Sequence, residues 1–376
     1  MKIHVLYIIT KLELGGAQKV CLSLVKGVQN SGNSAILISG SDGILLNESK
    51  QHSNVILLKN FKREVSVKSI IGEIKNFFQL ISQIKQLKKK HSNLIVHTHS
   101  TKAGILGRWA AFFARVKIRI HTIHGFAFHN HQNKIVWCII YLSELITSFI
   151  TTHFVCVSSF DIATGKKLFP RFAKKHSLIR AAVEWEKFTG AAKTNISDST
   201  VFIFGTVACF KKQKNLIDLF KAFEIVYAQN PYCKLEIIGD GVLRPELEAW
   251  IKQHNLQERI LLLGWQKNVA EFMITWDTFV LSSLWEGLPC AIIEARLLKL
   301  PVISYNTGGI KDVIIQGKNG YLIDQGNWQD LAYKMIYLIK NPDKLHDFQE
   351  FNQDLSDFND SKMIKNHLNL YQKLTQ

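Results

Sequence analysis

Short apolar runs alternate with amphipathic helical segments along most of this chain of 376 residues. Strands that are apolar on both faces and separated by helices are typical of a parallel sheet covered by helices on both sides. The longest apolar run, 135–149, contains Glu144 and is shorter than the roughly 20 residues that a membrane span needs. We therefore expect a buried helix there, not a membrane anchor. In the first half the predicted strands are 3–9, 35–39, 55–58, 94–97, 118–122, 154–157 and 177–179, and the predicted helices are 17–29, 67–90, 103–114 and 135–149.

The alternation pauses in the polar segment 182–200 and then restarts. The sequence thus predicts an α/β fold of two doubly wound, Rossmann-like domains that face a central cleft. Ligands of such sheets bind outside the carboxyl ends of the strands. The predicted domains are 1–181, to which a C-terminal helix within 358–376 returns, and 182–357. Predicted strands of the second half are 201–207, 234–238, 260–263, 278–281, 301–304 and 321–323, and the predicted helices are 216–227, 244–254, 291–298, 329–339 and 363–374.

Composition excludes several other classes of protein. Hydrophobic residues make up 47% of the chain, which is too much for a disordered protein. The formal net charge of +17 suggests nucleic-acid binding as a rival function. Because no RRM, KH, zinc-finger or helix-turn-helix pattern is visible, we predict no nucleic-acid partner. The six cysteines form no C-x-x-C pair, which supports neither a zinc site nor a disulfide framework and fits a reducing compartment.

Metal binding is not expected either. Histidines cluster between 97 and 131, but no carboxylates or cysteines with ligand spacing accompany them, so we predict that they alternate across strands or line the cleft. No D-x-D motif occurs, and such Asp pairs commonly hold a divalent ion on nucleotide-sugar phosphates. Charge neutralisation by lysine and by backbone N–H groups fits this absence. We expect no metal and no cofactor.

Three strand-to-helix turns contain paired glycines. Glycine lets the backbone approach a ligand closely, and the start of a helix presents free N–H groups to an anion. Any one of these turns could be a simple turn that binds no ligand. The turn at Gly239 lacks the third glycine of a dinucleotide-binding fingerprint. Together, at equivalent strand ends, they favour a ligand that carries phosphate. The turns are Gly15-Gly16, Gly239-Asp240-Gly241 and Gly308-Gly309.

Charged side chains follow two strands of the second half. Lys214 lies where it could neutralise a diphosphate, whereas Lys211 and Lys212 fit a solvated basic turn as well. Glu286 lies in a loop, and Glu294 follows about two helical turns later, so both could contact one extended ligand. Carboxylates are good acceptors for the vicinal hydroxyl groups of a sugar or a ribose. The alternative is a loop acid and a helix-surface acid, although a charge inside the apolar helix around Glu294 needs a partner.

These residues resemble a known family. Glu286-x7-Glu294, with Gly287-Leu288-Pro289 between them and Gly308-Gly309 after them, resembles the retaining glycosyltransferases of the GT-B fold, family 4. The likeness covers nearly the whole chain, including 15–18, 205–214 and 317–320, and the stretches 97–108 and 121–126 are similar to bacterial enzymes that build lipid-linked surface polysaccharides and glycans. It implies transfer of a hexose or N-acetylhexosamine from a nucleotide-sugar, with UDP favoured, to a saccharide on polyprenyl diphosphate. It also implies a cytoplasmic location at the inner face of the membrane.

The resemblance further implies a role for individual residues. Glu286 and His124 would be catalytic, with Glu286 near the reacting centre of the sugar. Acceptor and leaving group would react on one face of the sugar without an enzyme nucleophile, and the leaving phosphate would help to take the acceptor proton. Residues 1–181 would bind the acceptor, with His99 facing it, and 182–357 would bind the donor. The donor-binding residues would be Glu294 for the ribose, Gly264 and Trp265 for the base, Lys214, Gly16, Gly308 and Gly309 for the diphosphate, and also Gly15, Gly239, Gly287, Leu288 and Pro289.

One position departs from the family. Cys209 stands five residues before Lys214, where the family often has an arginine, and a thiol cannot neutralise phosphate. Lys211 or Lys212 could substitute for it, or Lys214 and helix dipoles could suffice. Cys209 leaves open a catalytically inactive partner subunit, although the intact Glu286 and Glu294 argue against it. A second alternative is a non-hydrolysing nucleotide-sugar epimerase, which shares the fold.

Residues 59–91 predict contact with an anionic membrane surface. They carry nine Lys or Arg and two Glu, and their apolar residues recur at spacings of three and four. A helix that covers a sheet also needs one apolar face, so the charge excess carries the prediction. Each basic residue near an anionic leaflet contributes about 1 kcal/mol. We expect mostly electrostatic, peripheral binding that involves Lys85, Lys88, Lys89 and Lys90.

Overall fold

The computed structural model describes residues 2–52, 54–59, 61, 70–190 and 201–376. The chain divides into two compact units. The N-terminal unit comprises Met1–Ala182 and Asp357–Gln376, and the C-terminal unit comprises Val183–Ser356. Residues 67–69 of the predicted helix 67–90 and residues 191–200 of the predicted connection 182–200 lie outside the described residues.

The N-terminal unit contains a parallel sheet with the strand order β3-β2-β1-β4-β5-β6-β7. The order reverses between β1 and β4, which pair with each other although two strands separate them in sequence. The loops that follow β1 and β4 therefore meet at the point where such sheets bind ligands. Its elements are β1 (His4–Ile8), α1 (Gly16–Asn30), β2 (Ser34–Gly40), α2 (Leu46–His52), β3 (Asn54–Leu58), α3 (Ile70–Lys90), β4 (Leu94–His99), α4 (Thr101–Phe113), β5 (Ile118–Ile123), α5 (Lys134–Ile150), β6 (His153–Cys156), α6 (Ser159–Leu168) and β7 (His176–Leu178).

The C-terminal unit repeats this plan with the strand order β10-β9-β8-β11-β12-β13, and its reversal lies between β8 and β11. Its hydrophobic core lies between the sheet and helices such as α8 and α12. The elements are α7 (Trp185–Thr189), β8 (Phe202–Val207), α8 (Leu216–Gln229), β9 (Cys233–Ile238), α9 (Arg244–Gln253), β10 (Ile260–Gly264), α10 (Val269–Met273), β11 (Thr278–Leu281), α11 (Cys290–Leu297), β12 (Val302–Tyr305), β13 (Gly320–Ile323), α12 (Trp328–Lys340) and α13 (Pro342–Glu350).

The last helix, α14 (Asp360–Thr375), packs on the N-terminal unit. The Tyr371 hydroxyl lies 2.9 Å from the Tyr7 hydroxyl of β1 and 2.6 Å from Nδ1 of His97 on β4. Ile364 lies so close to Gly27 of α1 that a Cβ there would be 2.5 Å from its Cδ1 atom. These contacts confirm the prediction that a C-terminal helix returns to the N-terminal domain.

The prediction of a buried helix at 135–149 is wrong. Helix α5 forms there, but its buried residues are the polar Glu144, Thr147 and Ser148, and most of its apolar residues are exposed. The physical reason lies on α4, where the buried Arg108 needs polar partners and finds Glu144, at 2.7 Å, on α5. Within the described part of the chain, no helix is both long enough and apolar enough to cross a bilayer.

Candidate active site

A contact between two loops defines the candidate site in the C-terminal unit. The loop after β8 ends in a short 3-10 helix, Lys212–Lys214, and the loop after β11 carries Glu286. Nζ of Lys214 lies 2.6 Å from Oε1 of Glu286, and only 17% and 8% of the two side chains are exposed. The pair therefore sits, largely shielded from water, where an open parallel sheet binds its ligand.

Gln213, which was not predicted from the sequence as a site residue, supports this pair. Its Nε2 atom donates to the Trp285 carbonyl at 2.7 Å and lies 3.4 Å from Oε2 of Glu286. The backbone N–H of Leu284 donates to the Gln213 carbonyl at 2.8 Å. The two loops are thus fixed to each other by the residue directly before Lys214. Its position next to Lys214 is the sequence feature that could have identified it as a site residue.

The Gly308-Gly309 turn packs against the same loop. Gly308 has a φ of +55°, and a Cβ there would lie 2.0 Å from the Glu286 carbonyl oxygen, so only glycine fits. The Gly309 N–H donates to the Gly287 carbonyl at 2.6 Å. This hydrogen bond would have to open for the Gly309 amide to hold a phosphate. The turn therefore positions Glu286 in this structure.

The Gly239-Asp240-Gly241 turn follows β9 and contacts the end of β10. Gly239 has a φ of +136°, and a Cβ there would lie 2.0 Å from the Ala208 carbonyl oxygen of the loop after β8. Its N–H donates to the Gly264 carbonyl at 2.8 Å, which places the β9 and β10 ends side by side. Trp265 follows and is partly exposed. A ligand that contacts Gly264 and Trp265 would thus meet backbone adjoining the β8 loop.

Glu294 lies on α11, which begins after the Gly287-Leu288-Pro289 segment. Those three residues are buried, and Pro289 is the residue that precedes the helix. Glu294 is itself buried and engaged within the protein. It is therefore not an ordinary acid on a helix surface, since burial of a carboxylate requires partners.

Cys209 stands in the loop after β8 where the family often has an arginine, and the lysines near it differ in exposure. Cys209 and Lys211 are half-buried and each has interactions within the protein, whereas Lys212 is exposed. Lys214 is the lysine of this loop that contacts Glu286.

In the N-terminal unit the corresponding loops follow β1 and β4. Gly15 precedes α1 and Gly16 opens it, and the Thr10 hydroxyl lies 2.7 Å from the Ser100 hydroxyl after β4. Oγ1 of Thr10 also accepts from the N–H of Ala103 at 3.2 Å. The glycine turn thus lies at the reversal of strand order in this sheet.

Histidines line the carboxyl ends of β4 and β5. Nδ1 of His99 lies 2.9 Å from Nε2 of His124, and Nε2 of His97 lies 2.7 Å from Oγ1 of Thr122. Burial lowers the pKa of His124 to about 3 and that of His367 on α14 to about 4. These imidazoles are neutral at physiological pH. No cluster that could hold a metal ion is found in residues 2–52, 54–59, 61, 70–190 and 201–376.

The four lysines at the end of α3 differ in their exposure to solvent. Lys85, Lys89 and Lys90 are exposed, whereas Lys88 is half-buried and its Nζ donates to the Arg115 carbonyl at 2.6 Å. Lys88 therefore fastens α3 to the end of α4, and three of the four predicted membrane-facing lysines are available to solvent.

Comparison with solved structures defines the class of fold. The crystal structure of Anabaena HepE in complex with UDP and glucose superimposes with a TM-score of 0.81 at 16% identity, covering 98% of this chain and 99% of the other. Sucrose-phosphate synthase from Thermosynechococcus elongatus gives a TM-score of 0.81 at 16% identity, covering 99% of both chains. The fold is the GT-B fold of glycosyltransferases, as the sequence analysis predicted.

Sequence relatives define the family. The model described as Glycosyltransferase Family 4 matches residues 14–179, and the model described as Glycosyl transferases group 1 matches residues 191–354. The UDP-Gal:α-D-GlcNAc-diphosphoundecaprenol α-1,3-galactosyltransferase of Escherichia coli is 33% identical over 83% of this chain and 81% of its own. The capsular polysaccharide biosynthesis glycosyltransferase CapM of Staphylococcus aureus is 26% identical over 82% and 81%. The chain belongs to the group 1, family 4 glycosyltransferases.

Proposed function

We propose that this protein transfers a hexose or N-acetylhexosamine from a UDP-sugar to a saccharide carried on polyprenyl diphosphate, with retention of configuration. The relative from Escherichia coli is named for a UDP-sugar donor and an undecaprenyl-diphosphate acceptor, and that from Staphylococcus aureus for capsular polysaccharide synthesis. UDP-galactose is an α-glycoside, so the α-1,3 linkage in the first name corresponds to retention. The function proposed here is a step in surface polysaccharide or glycan synthesis.

The contact between Lys214 and Glu286 carries the proposal. An ammonium group has three N–H donors, and Glu286 accepts one of them at 2.6 Å. The other two can be donated to an incoming diphosphate, whose negative charge grows as its bond to the sugar breaks. Donors fixed before the reaction stabilise such developing charge without reorganisation. In this proposal Glu286 orients Lys214, and its carboxylate accepts hydrogen bonds from the hydroxyl groups of the sugar.

The remaining donor contacts follow from the same loops. Glu294 on α11 would accept from the ribose hydroxyl groups, and the backbone at Gly264 and Trp265 would meet the base. Lys214 and backbone N–H groups would neutralise the diphosphate, so we propose turnover that needs no metal ion.

The histidines fit a proton route that does not pass through an enzyme base. Burial lowers the pKa of His124 to about 3, which makes it a weak base and leaves it uncharged at neutral pH. We assign it to hydrogen bonding with the donor sugar and the acceptor. The acceptor proton then goes to the leaving phosphate, and no enzyme nucleophile takes part.

A lipid-linked acceptor would bring the enzyme to the inner face of the cytoplasmic membrane, and we include this location in the proposal. The exposed Lys85, Lys89 and Lys90 support this part of the proposal, because a cluster of basic residues is attracted to anionic headgroups.

The proposal is tested by measuring UDP release from a panel of UDP-sugars, each with and without GlcNAc-diphosphoundecaprenol. Release that requires the acceptor supports it. Conversion of a UDP-sugar to its epimer in the absence of acceptor would contradict it.

A further inference from the structure

Helix α5 presents one row of apolar residues to solvent, while Trp137, Ile140, Tyr141 and Leu145 pack against a hydrophobic cluster of the N-terminal unit. Ile135, Ile139 and Phe149 are 70%, 60% and 61% exposed, and Leu142 and Ile146 lie between them at helical spacing. The residues from 135 to 149 make a stripe about 21 Å long at 1.5 Å per residue. We call these five residues the α5 stripe. Exposed apolar residues that are scattered singly are common, but a continuous stripe marks a binding surface.

Polar contacts with α4 fix which side of α5 faces the protein. Arg108 of α4 is fully buried and donates to Oε2 of Glu144 at 2.7 Å and to Oγ1 of Thr151 at 3.0 Å. Nε1 of Trp109 donates to Oγ1 of Thr147 at 3.0 Å. These bonds hold Glu144 and Thr147 against α4, so the opposite side of the helix faces solvent. The core therefore does not use the α5 stripe, and its apolar character calls for another partner.

The apolar surface continues onto the end of α4. Phe112 and Phe113 are exposed there. The Arg119 guanidinium lies 5.6 Å from the centre of the Phe112 ring, and its Nε donates to the Ile150 carbonyl at the end of α5 at 2.6 Å. Arg119 thus links Phe112 to the C-terminal end of α5.

Charge identifies the kind of partner. Between residues 92 and 183 the acidic residues are Glu144 and Asp161, and both are buried. A positively charged surface attracts an anionic partner. A second copy of the chain is disfavoured, because it would bring the same positive charge to the contact. The segment has twelve basic residues, and all of them except Arg108 are exposed or half-buried: Lys102, Arg108, Arg115, Lys117, Arg119, Lys134, Lys166, Lys167, Arg171, Lys174, Lys175 and Arg180.

We propose that α5 lies in the plane of an anionic phospholipid surface, with the α5 stripe and Phe112 and Phe113 inserted at the boundary between headgroups and acyl chains. A helix with one apolar face and basic surroundings binds membranes in this way. The proposal rests on the proposed function, which places the acceptor in a membrane. It deepens that function by assigning the contact to apolar insertion of α5 in addition to the charge of α3.

The test compares two variants in cosedimentation with vesicles of equal parts phosphatidylglycerol and phosphatidylcholine. Ile139→Gln/Ile146→Gln removes part of the α5 stripe, and Tyr232→Gln/Tyr333→Gln changes two similarly exposed residues of the C-terminal unit. At high salt, which screens the lysines, the first variant should bind on the order of tenfold more weakly than wild type. The second should bind like wild type, and both should melt like wild type.

A fluorescent label provides an independent readout. Cys138 is exposed on α5, whereas the other five cysteines are buried or half-buried. An environment-sensitive dye on Cys138 should shift its emission to the blue when anionic vesicles are added. An unshifted dye, or unchanged vesicle binding of Ile139→Gln/Ile146→Gln, would overturn the proposal, as would loss of a dimer by that variant in analytical ultracentrifugation.

Vesicle binding is measured without donor or acceptor. Absence of transfer activity would therefore contradict the proposed function alone, and unchanged vesicle binding of the α5 variant would contradict this inference alone.

Discussion

Nζ of Lys214 lies 2.6 Å from Oε1 of Glu286, although 72 positions separate the two residues in sequence. The reason is the strand order, because β8 pairs with β11 while β9 and β10 lie to the other side of β8. The loops after β8 and β11 therefore flank the reversal point of the sheet. The contact places a cation and a carboxylate together at the edge of the sheet where we propose that the nucleotide-sugar binds.

Loss of the Glu286 charge should reduce turnover strongly. Glu286→Gln should lower kcat and kcat/KM together by about 10²–10³, because the contacts matter most as charge develops. Glu350→Gln, which removes one carboxylate of an exposed pair with Lys299, should have no effect on steady-state rates. Lys214→Met should also lower kcat, and the double variant Lys214→Met/Glu286→Gln should lose less than the two single losses combined. A Glu286→Gln enzyme with nearly wild-type kcat would show that Glu286 has been given the wrong role.

Gly308→Ala should destabilise the protein and lower its activity. The added Cβ would meet the Glu286 carbonyl oxygen at 2.0 Å, and φ is +55°. Gly317→Ala is the matched control, since φ is +73° there but nothing lies within 4 Å of the added Cβ. Left-handed strain alone costs roughly 1–2 kcal/mol. Urea titration should therefore show a clearly larger loss in the free energy of unfolding for Gly308→Ala, and equal losses would mean that the close packing on Glu286 is not important.

Stability should fall as the pH is lowered below about 6.5, the ordinary pKa of histidine. Burial lowers the pKa of His124 to about 3 and that of His367 to about 4 in the folded protein. Between about pH 6.5 and pH 4 these histidines are protonated in the unfolded chain but not in the folded protein. Each of them therefore reduces the free energy of unfolding by about 1.4 kcal/mol for each pH unit by which the pH is lowered. Urea titrations from pH 7 to pH 4 measure the slope. His367→Gln should make it shallower, and an unchanged slope would contradict the assignment.

Turnover should not depend on a divalent metal ion. Lys214 and backbone N–H groups are proposed to neutralise the diphosphate, so excess EDTA should leave the transfer rate within about twofold of its value without chelator. Activity that is abolished by EDTA and restored by Mg²⁺ or Mn²⁺ would show that a metal performs this role.

Most of the fold followed from hydrophobic periodicity. The alternation of apolar strands and amphipathic helices predicted both parallel sheets, because strands buried on both faces leave a distinctive pattern. Helices α2, α6, α7, α10 and α13 were missed. Each is short, and segments such as Leu46–His52 and Pro342–Glu350 are mostly polar, so they lack the apolar stripe that marks a helix in sequence.

Hydrophobic periodicity could not predict which face of α5 is buried, nor that Lys214 contacts Glu286. An apolar run shows how much hydrophobic surface a helix has but not which partner covers it, and here the buried Arg108 draws Glu144 inward. The residues Lys214 and Glu286 were selected from the sequence separately. Their contact depends on β8 lying beside β11, which no local pattern encodes.

The most direct test is the anomeric configuration of the product formed from a UDP-sugar and GlcNAc-diphosphoundecaprenol, determined by NMR together with the UDP released. We expect one UDP per α-linked sugar transferred, with no change in the UDP-sugar when the acceptor is left out. A β-linked product, or an epimerised UDP-sugar without transfer, would contradict it.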